Sequence, residues 1–185
     1  MNFSNTLIYW YLQTKRDLPW RKTRDPYLVW LSEIILQQTR VSQGMSYYLT
    51  FSTVFPTVED LANAEESKVL KMWQGLGYYS RARNLHYTAK YISNKLCGQF
   101  PTSYKELIKL KGIGDYTASA ISSICFDEPA AVVDGNVYRV LARFFKIDTP
   151  INSTKGIKEF KSLAQSLLDT KNPGVYNQAI MDFGA

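Results

Sequence analysis

The sequence predicts an all-α protein, and three observations carry that expectation. Apolar residues recur at three- and four-residue spacing along nearly the whole chain, the period of a helix with one buried face. No segment alternates apolar and polar residues convincingly enough to read as a strand. Helix-start and helix-stop residues punctuate the pattern at short intervals, without low-complexity tracts, internal repeats or a long linker.

The elements follow in order. Residues 3–15 read as a first helix, and Asp25-Pro26 supplies an N-cap and a first-turn proline for a helix over 27–39. A helix over 41–51 comes next, then one over 57–64 opened by Thr57-x-x-Asp60. Residues 66–73 form a helix stopped by Gly75 and Gly77, and 80–95 a longer one. Ser103-x-x-Glu106 reads as a capping box for a short helix over 104–110, with its partner over 117–125. Helices over 137–144, 153–168 and 175 to the end complete the chain, and Asp127-Glu128-Pro129 reads as a break.

With 185 residues there is length for one large or two small domains and a substantial core. Lys and Arg number 22 against 16 acids, a net charge of +6, which favours a polyanionic partner without identifying one. The longest apolar run, Leu7 to Leu12, is far too short to span a membrane, and nothing at the N-terminus reads as a signal peptide. Cys97 and Cys125 lack metal-ligand spacing and suit a reducing compartment. His86 is the single histidine, so multi-histidine metal sites are excluded and chemistry is expected from carboxylates, Tyr, Lys or Ser.

The most specific local pattern is Leu110-Lys111-Gly112-Ile113-Gly114-Asp115-Tyr116-Thr117. Its two glycines permit a hairpin between short helices that side chains would obstruct. Asp115 is placed to cap the second helix, whose remaining free N–H groups lie at the positive end of the helix dipole, a socket for one phosphate. Taken alone, G-x-G fits a helix stop and a turn equally well.

Two carboxylates stand out. Glu33 lies within Tyr-Leu-Val-Trp-Leu-Ser-Glu-Ile-Ile-Leu, a helix apolar nearly all round. Burial there penalises the charged form and favours a proton donor, although a buried Glu satisfied by a hydrogen bond or an Arg fits the same pattern. Asp134 stands where the apolar run Ala-Ala-Val-Val ends and a helix begins, and alone it reads as a turn or cap residue. One neutral acid and one ionised carboxylate is nevertheless the pairing that glycosidic bond cleavage requires.

Further segments, taken with these, become specific. They are Leu18-Pro19-Trp20-Arg21, Trp30 to Thr39 (Trp-Leu-Ser-Glu-Ile-Ile-Leu-Gln-Gln-Thr), Gly75 to Leu85 (Gly-Leu-Gly-Tyr-Tyr-Ser-Arg-Ala-Arg-Asn-Leu), Val133-Asp134-Gly135-Asn136-Val137 and Asn177-Gln178-Ala179. Together with the hairpin they resemble the MutY-type adenine DNA glycosylases, within the helix-hairpin-helix group that includes endonuclease III. The resemblance runs over nearly the whole chain. It implies a base-excision-repair enzyme that hydrolyses the N-glycosidic bond of adenine mispaired with 8-oxoguanine or guanine.

By that resemblance Glu33 is the acid that protonates the departing adenine, and Asp134 the carboxylate that stabilises the oxocarbenium-like sugar. Tyr116 and Asn136 support that intermediate. Arg16, Trp20, Arg21, Leu36 and Gln178 wall the pocket for the extruded adenine. Gln38 and Tyr78 are wedges entering the duplex, and Thr39 and Leu76 lie near the orphaned 8-oxoguanine. Lys111, Gly112 and Gly114 contact the DNA backbone. In isolation, Tyr78-Tyr79 reads more readily as core aromatics, and Arg81, Arg83 and Lys90 as a solvated helix face. The endonuclease III branch has Lys where this chain has Tyr116, and a phenol cannot form the Schiff base that cuts the backbone. A monofunctional glycosylase is therefore expected. The alternatives are a non-catalytic helix-hairpin-helix DNA-binding fragment and a bifunctional oxidised-pyrimidine glycosylase.

The same resemblance implies two lobes: a helical barrel over residues 18–128, with the hairpin at about 104–125, and a second lobe from 1–17 plus 129–185. It implies double-stranded DNA carrying an adenine mispair as the partner, a monomer, and a cytoplasmic, nucleoid-associated location of bacterial type. It also implies a [4Fe-4S] cluster on four cysteines after the Asn-Gln-Ala segment. Those cysteines, and a C-terminal domain that helps read 8-oxoguanine, are absent from this sequence, so no metal ligands are expected in it and a weakly active fragment is.

Overall fold

The computed structural model describes residues 3–185, and among them every regular element is helical. The chain divides into two compact units. One is continuous, Pro19–Thr117, and the other joins the N-terminal segment through Leu18 to Ala118–Ala185.

The N-terminal helix, α1 (Phe3–Thr14), belongs to the discontinuous unit. In the continuous unit, a single 3-10 turn at Pro19–Arg21 leads to α2 (Pro26–Leu36). Asp25 caps α2 as expected, its carboxylate accepting the Tyr27 N–H at 2.8 Å. Seven of the eleven residues of α2 are buried, and Trp30 and Ile35 reach the centre of the core. Helix α3 (Val41–Val54) packs against it most closely at Gly44, where an added Cβ would stand 2.6 Å from Leu36 Cδ2. The Thr57/Asp60 capping box forms in both directions at the start of α4 (Val58–Asn63). After α5 (Glu66–Met72) comes α6 (Tyr79–Lys95), which lays Ala82, Leu85, Ala89 and Ile92 into the core. His86 is also buried there, with Nε2 3.0 Å from the Ala64 carbonyl oxygen, and desolvation lowers its pKa. It packs within the core of this unit. Phe51 and Trp73 meet edge to face at 5.8 Å, and Trp30 meets Phe100 at 5.5 Å.

Two elements of this unit depart from expectation. Helix α2 ends at Leu36, short of 39, and Gln38 beyond it takes a left-handed conformation with φ +54° that cannot continue the helix. Helix α7 spans only Tyr104–Leu107, after which Leu110 N–H bonds the Leu107 carbonyl in tighter i→i+3 turns. The expected capping box at Ser103 does not form, since no side-chain cap bond is made there.

In the discontinuous unit, α1 packs on α11 (Pro173–Phe183), burying Leu7 and Tyr11 and setting Trp10 edge-on to Phe183 at 5.2 Å. Helices α9 (Gly135–Phe145) and α10 (Thr154–Leu167) complete it, with Tyr138 against Phe160 at 5.0 Å. The two units divide within α8 (Asp115–Phe126), between Thr117 and Ala118. Packing explains this. Gly174 sits on the α8 backbone, where an added Cβ would lie 2.8 Å from the Ser123 carbonyl oxygen. Asn177, fully buried, donates to Ser123 Oγ and to the Ala130 carbonyl, both at 2.8 Å, and accepts the Val132 N–H at 3.2 Å. One side chain thus satisfies backbone groups that a buried extended segment would otherwise leave unpaired.

Candidate nucleic-acid interface and catalytic residues

The hairpin is built as a turn of unequal glycines. Gly112 has φ +80° and packs on α6, where a Cβ would stand 2.7 Å from Asn84 Cβ, so only glycine fits. Gly114 needs neither licence: its added Cβ meets nothing within 4 Å, and the position is exposed. The hairpin is anchored from α6 by the Thr88 hydroxyl, which donates to the Lys111 carbonyl at 2.7 Å. Lys111 is exposed, with Nζ 4.6 Å from the centre of the Tyr87 ring. Asp115 is the first residue of α8 and accepts the Tyr104 hydroxyl at 2.5 Å, joining the two helices of the motif. That bond, with burial and the charge of Asp115, pushes the Tyr104 pKa up to about 12. Tyr116 follows in the first turn of α8, half-buried.

Glu33 is the one acidic residue of α2 and is half-buried, in a helix whose apolar sequence reads as buried. One turn further along the same helix direction, Gln37 Nε2 lies 3.5 Å from Thr117 Oγ1, beside Tyr116. The C-terminal end of α2 and the start of α8 are therefore adjacent. Trp20 is buried edge-on to Tyr48 at 5.0 Å, Arg21 is half-buried in the 3-10 turn, and Leu36 is half-buried against Gly44.

Gln38 and Tyr78, the expected wedges, share two properties. Both are exposed, Tyr78 at 66 %, and both adopt left-handed backbone, with φ +54° and +45°. Such conformations cost non-glycine residues roughly 1–2 kcal/mol and persist where surrounding structure enforces them. Thr39 is half-buried and Leu76 buried, so the latter's side chain faces the protein. Periodicity misses Arg81, whose sequence context predicts a solvated face. It is half-buried beneath these loops, while Arg83 and Lys90 are exposed, Arg83 lying 3.7 Å from Glu66. Desolvation lowers the Arg81 pKa, opposed by Tyr78.

In the discontinuous unit, Asp134 is the N-cap of α9. Its Oδ1 accepts the Val137 N–H at 2.8 Å and its Oδ2 accepts the Asn136 side-chain amide at 3.1 Å. Asn136 is held in turn by Arg139 Nη1 at 3.1 Å, and Arg139 also donates to the Gly184 carbonyl. Asp134 and Asn136 thus form one oriented pair. Gln178 and Asp182 stand one turn apart on α11. Gln178 accepts the Tyr11 hydroxyl at 2.7 Å, and Arg16 pairs with Asp182 Oδ1, its Nε at 3.1 Å. Arg16 and Gln178 therefore share a face of α11, with Tyr11 and Asp182 as unforeseen partners.

The residues present do not fit a four-cysteine iron-sulfur cluster. The sequence holds two cysteines, Cys97 and Cys125, where such a cluster needs four, and no group of three or more His, Cys, Asp or Glu able to hold a metal occurs among the described residues. No helix among the described residues is long and apolar enough to cross a membrane.

The chain is 44% identical over 192 residues to the adenine DNA glycosylase of Rattus norvegicus and equally so to that of Homo sapiens, covering 99% of this chain but 37% and 35% of those proteins. It is 41% identical to the adenine DNA glycosylase of Buchnera aphidicola subsp. Baizongia pistaciae, again over 99% of this chain and 52% of the relative. The chain thus spans between about a third and a half of the length of these relatives. Among solved structures, a thermostable thymine-DNA glycosylase superposes with a TM-score of 0.89 at 31% identity, over 99% of this chain and 84% of that one. An endonuclease III–DNA complex shares the fold, with a TM-score of 0.80 at 19% identity, over 97% of this chain and 81% of that one. The pattern of the HhH-GPD superfamily base excision DNA repair proteins matches residues 31–166, and the chain belongs to that superfamily.

Proposed function

We propose that this chain carries the catalytic part of a monofunctional adenine DNA glycosylase, acting on duplex DNA in which adenine is mispaired with 8-oxoguanine or guanine. The observation that carries the reading is the adjacency of α2 and α8 through Gln37 and Thr117, which sets the helix of Glu33 beside Tyr116 at the DNA-binding hairpin. The three adenine DNA glycosylase relatives support the choice of base.

In this reading the hairpin binds a backbone phosphate at the start of α8, with the open space over Gly114 admitting it. Gln38 and Tyr78 fill the gap left when adenine leaves the stack, beside Thr39 and Leu76. Trp20, Arg21 and Leu36 of the continuous unit, and Arg16 and Gln178 of the discontinuous one, are the residues the family resemblance assigns to the adenine pocket. Glu33 donates its proton to a ring nitrogen of adenine, so the electron pair of the breaking C1′–N bond is accepted by a neutral leaving group. Asp134, oriented by Asn136, stabilises the positive charge on the sugar until water adds to C1′ and gives its proton to the Glu33 carboxylate, which restores the acid. The products are free adenine and an abasic site. With Tyr116 in place of a lysine, no imine forms and the backbone stays whole.

A single-turnover assay on the whole protein tests this, using duplexes with adenine opposite 8-oxoguanine or guanine and one with thymine opposite guanine. Strand breaks appearing only after alkali at the adenine duplexes are the expected result. Breaks at thymine alone would transfer the assignment to thymine, breaks without alkali would make the enzyme bifunctional, and binding without release of any base would leave a DNA-binding module.

A further inference from the structure

We infer that Arg81 is a positioning residue that sets Gln38 and Tyr78 as a matched pair, an inference that rests on the wedge roles proposed above. Its guanidinium reaches two loops at once. Nη1 donates to the carbonyls of Ile34 at 3.0 Å, Ile35 at 3.3 Å and Gln37 at 2.5 Å, the last of them one residue before Gln38. Nη2 donates to the Leu76 carbonyl at 3.2 Å, two residues before Tyr78. The same cation lies 5.3 Å from the centre of the Trp73 ring and 5.6 Å from that of Tyr78.

The two ends of this clamp differ in what they do. At α2 the cation meets orphan carbonyls at the negative end of the helix dipole and stops the helix at Leu36, which releases Gln38 into its left-handed turn. At the other loop it is one of four side chains that take four successive carbonyls. Tyr47 holds Gln74 at 2.7 Å, Gln43 holds Gly75 at 3.3 Å, Arg81 holds Leu76, and Trp73 Nε1 holds Gly77 at 2.9 Å. Of these four side chains, Arg81 is the one that also bonds the end of α2. Two wedges that must enter one base-pair gap need a fixed separation, and a planar fork with several donors fixes it where a flexible ammonium cannot.

The test uses the whole protein with Arg81→Lys, and Arg81→Met beside it. Base extrusion is read by 2-aminopurine fluorescence at the target position, and base release by single-turnover kinetics. Arg81→Lys keeps the charge at the end of α2, so duplex affinity should stay within about threefold, since phosphate contacts supply most of it. Misplaced wedges should lower extrusion and single-turnover rate on the order of 10–100-fold. The decisive readout is a double-mutant cycle. In a Gln38→Ala/Tyr78→Ala background, Arg81→Lys should cost less than about twofold more, because its effect passes through those two residues. A loss that adds in full, or an unaltered rate in Arg81→Lys, overturns the inference.

Amide hydrogen exchange of the DNA-free protein separates this from the wedge reading itself. Exchange at residues 38–39 and 76–78 should accelerate together in Arg81→Lys, and in Arg81→Met more strongly. Coordinated acceleration without any fluorescence rise in the parent protein would sink the wedge roles while leaving the clamp. Unchanged exchange in both variants would sink the clamp, whatever the DNA assays show.

Discussion

The two units hold their candidate functional residues by opposite means. In the discontinuous unit, Asp134 is oriented by groups two and three residues away, the Asn136 amide and the Val137 N–H. In the continuous unit, Gln38 and Tyr78 are exposed residues on loops that also need side chains distant in sequence: Arg81 reaches back 44 to 47 residues to the end of α2, and Tyr47 and Gln43 hold the Tyr78 loop from 27 and 32 residues away, beside the nearby Trp73 and Arg81. A locally capped carboxylate keeps its geometry for as long as its helix exists. Loops held by remote side chains keep theirs only when the whole unit is folded.

The largest effect that bears on this difference is at Glu33. Glu33→Gln preserves shape and removes the proton, so base release should fall by roughly two to four orders of magnitude with duplex binding retained. A near-parental single-turnover rate would remove Glu33 from the mechanism. At the locally held site, Asp134→Asn separates two roles that coincide in one side chain. Asparagine caps a helix about as well as aspartate, so melting should barely move, whereas Asp134→Ala should cost about 1 kcal/mol. Chemistry should be lost in both, because neither side chain balances charge on the sugar. Retained activity in Asp134→Asn would reduce Asp134 to a cap.

The hairpin glycines offer a smaller contrast within one motif. Gly112→Ala forces a left-handed alanine at φ +80° against Asn84. That change should destabilise the protein by roughly 1–2 kcal/mol. Gly114→Ala enters open space. It should change stability by no more than about 0.5 kcal/mol. Thermal melts of the two variants decide it, and equal losses would mean the hairpin is strained elsewhere.

The smallest expected effect is the Tyr104–Asp115 bond between the two helices of the motif. Tyr104→Phe should cost roughly 0.5–1 kcal/mol near neutral pH. The folded-state pKa of Tyr104, about 12, lies above its unfolded value of 10.0, so the contribution is complete below pH 10 and lost as pH rises through 12. Parent and variant stabilities, compared by denaturant unfolding, should converge across that window. A difference that persists at its upper end would place the stabilisation in packing of the ring.

The amino-acid order alone determined the helical class, the caps at Asp25 and Thr57, and the cap reading of Asp134, because each follows from periodicity or from bonds spanning two or three residues. Through resemblance it also pointed to the glycosylase reading, and the superfamily match over residues 31–166 agrees with that class. What tertiary structure decided was different in kind. The carbonyls at the end of α2 are taken by a guanidinium more than forty residues away, and no local propensity encodes that bond. The packing of Gly174 and Asn177 on the α8 backbone is likewise tertiary, joining residues about fifty positions apart. Arg81 looked like surface charge because a charged residue in an amphipathic helix ordinarily faces water. Only a folded neighbour offering carbonyl oxygens gives such a side chain reason to turn inward, and sequence periodicity carries no record of which carbonyls a distant helix will leave unpaired.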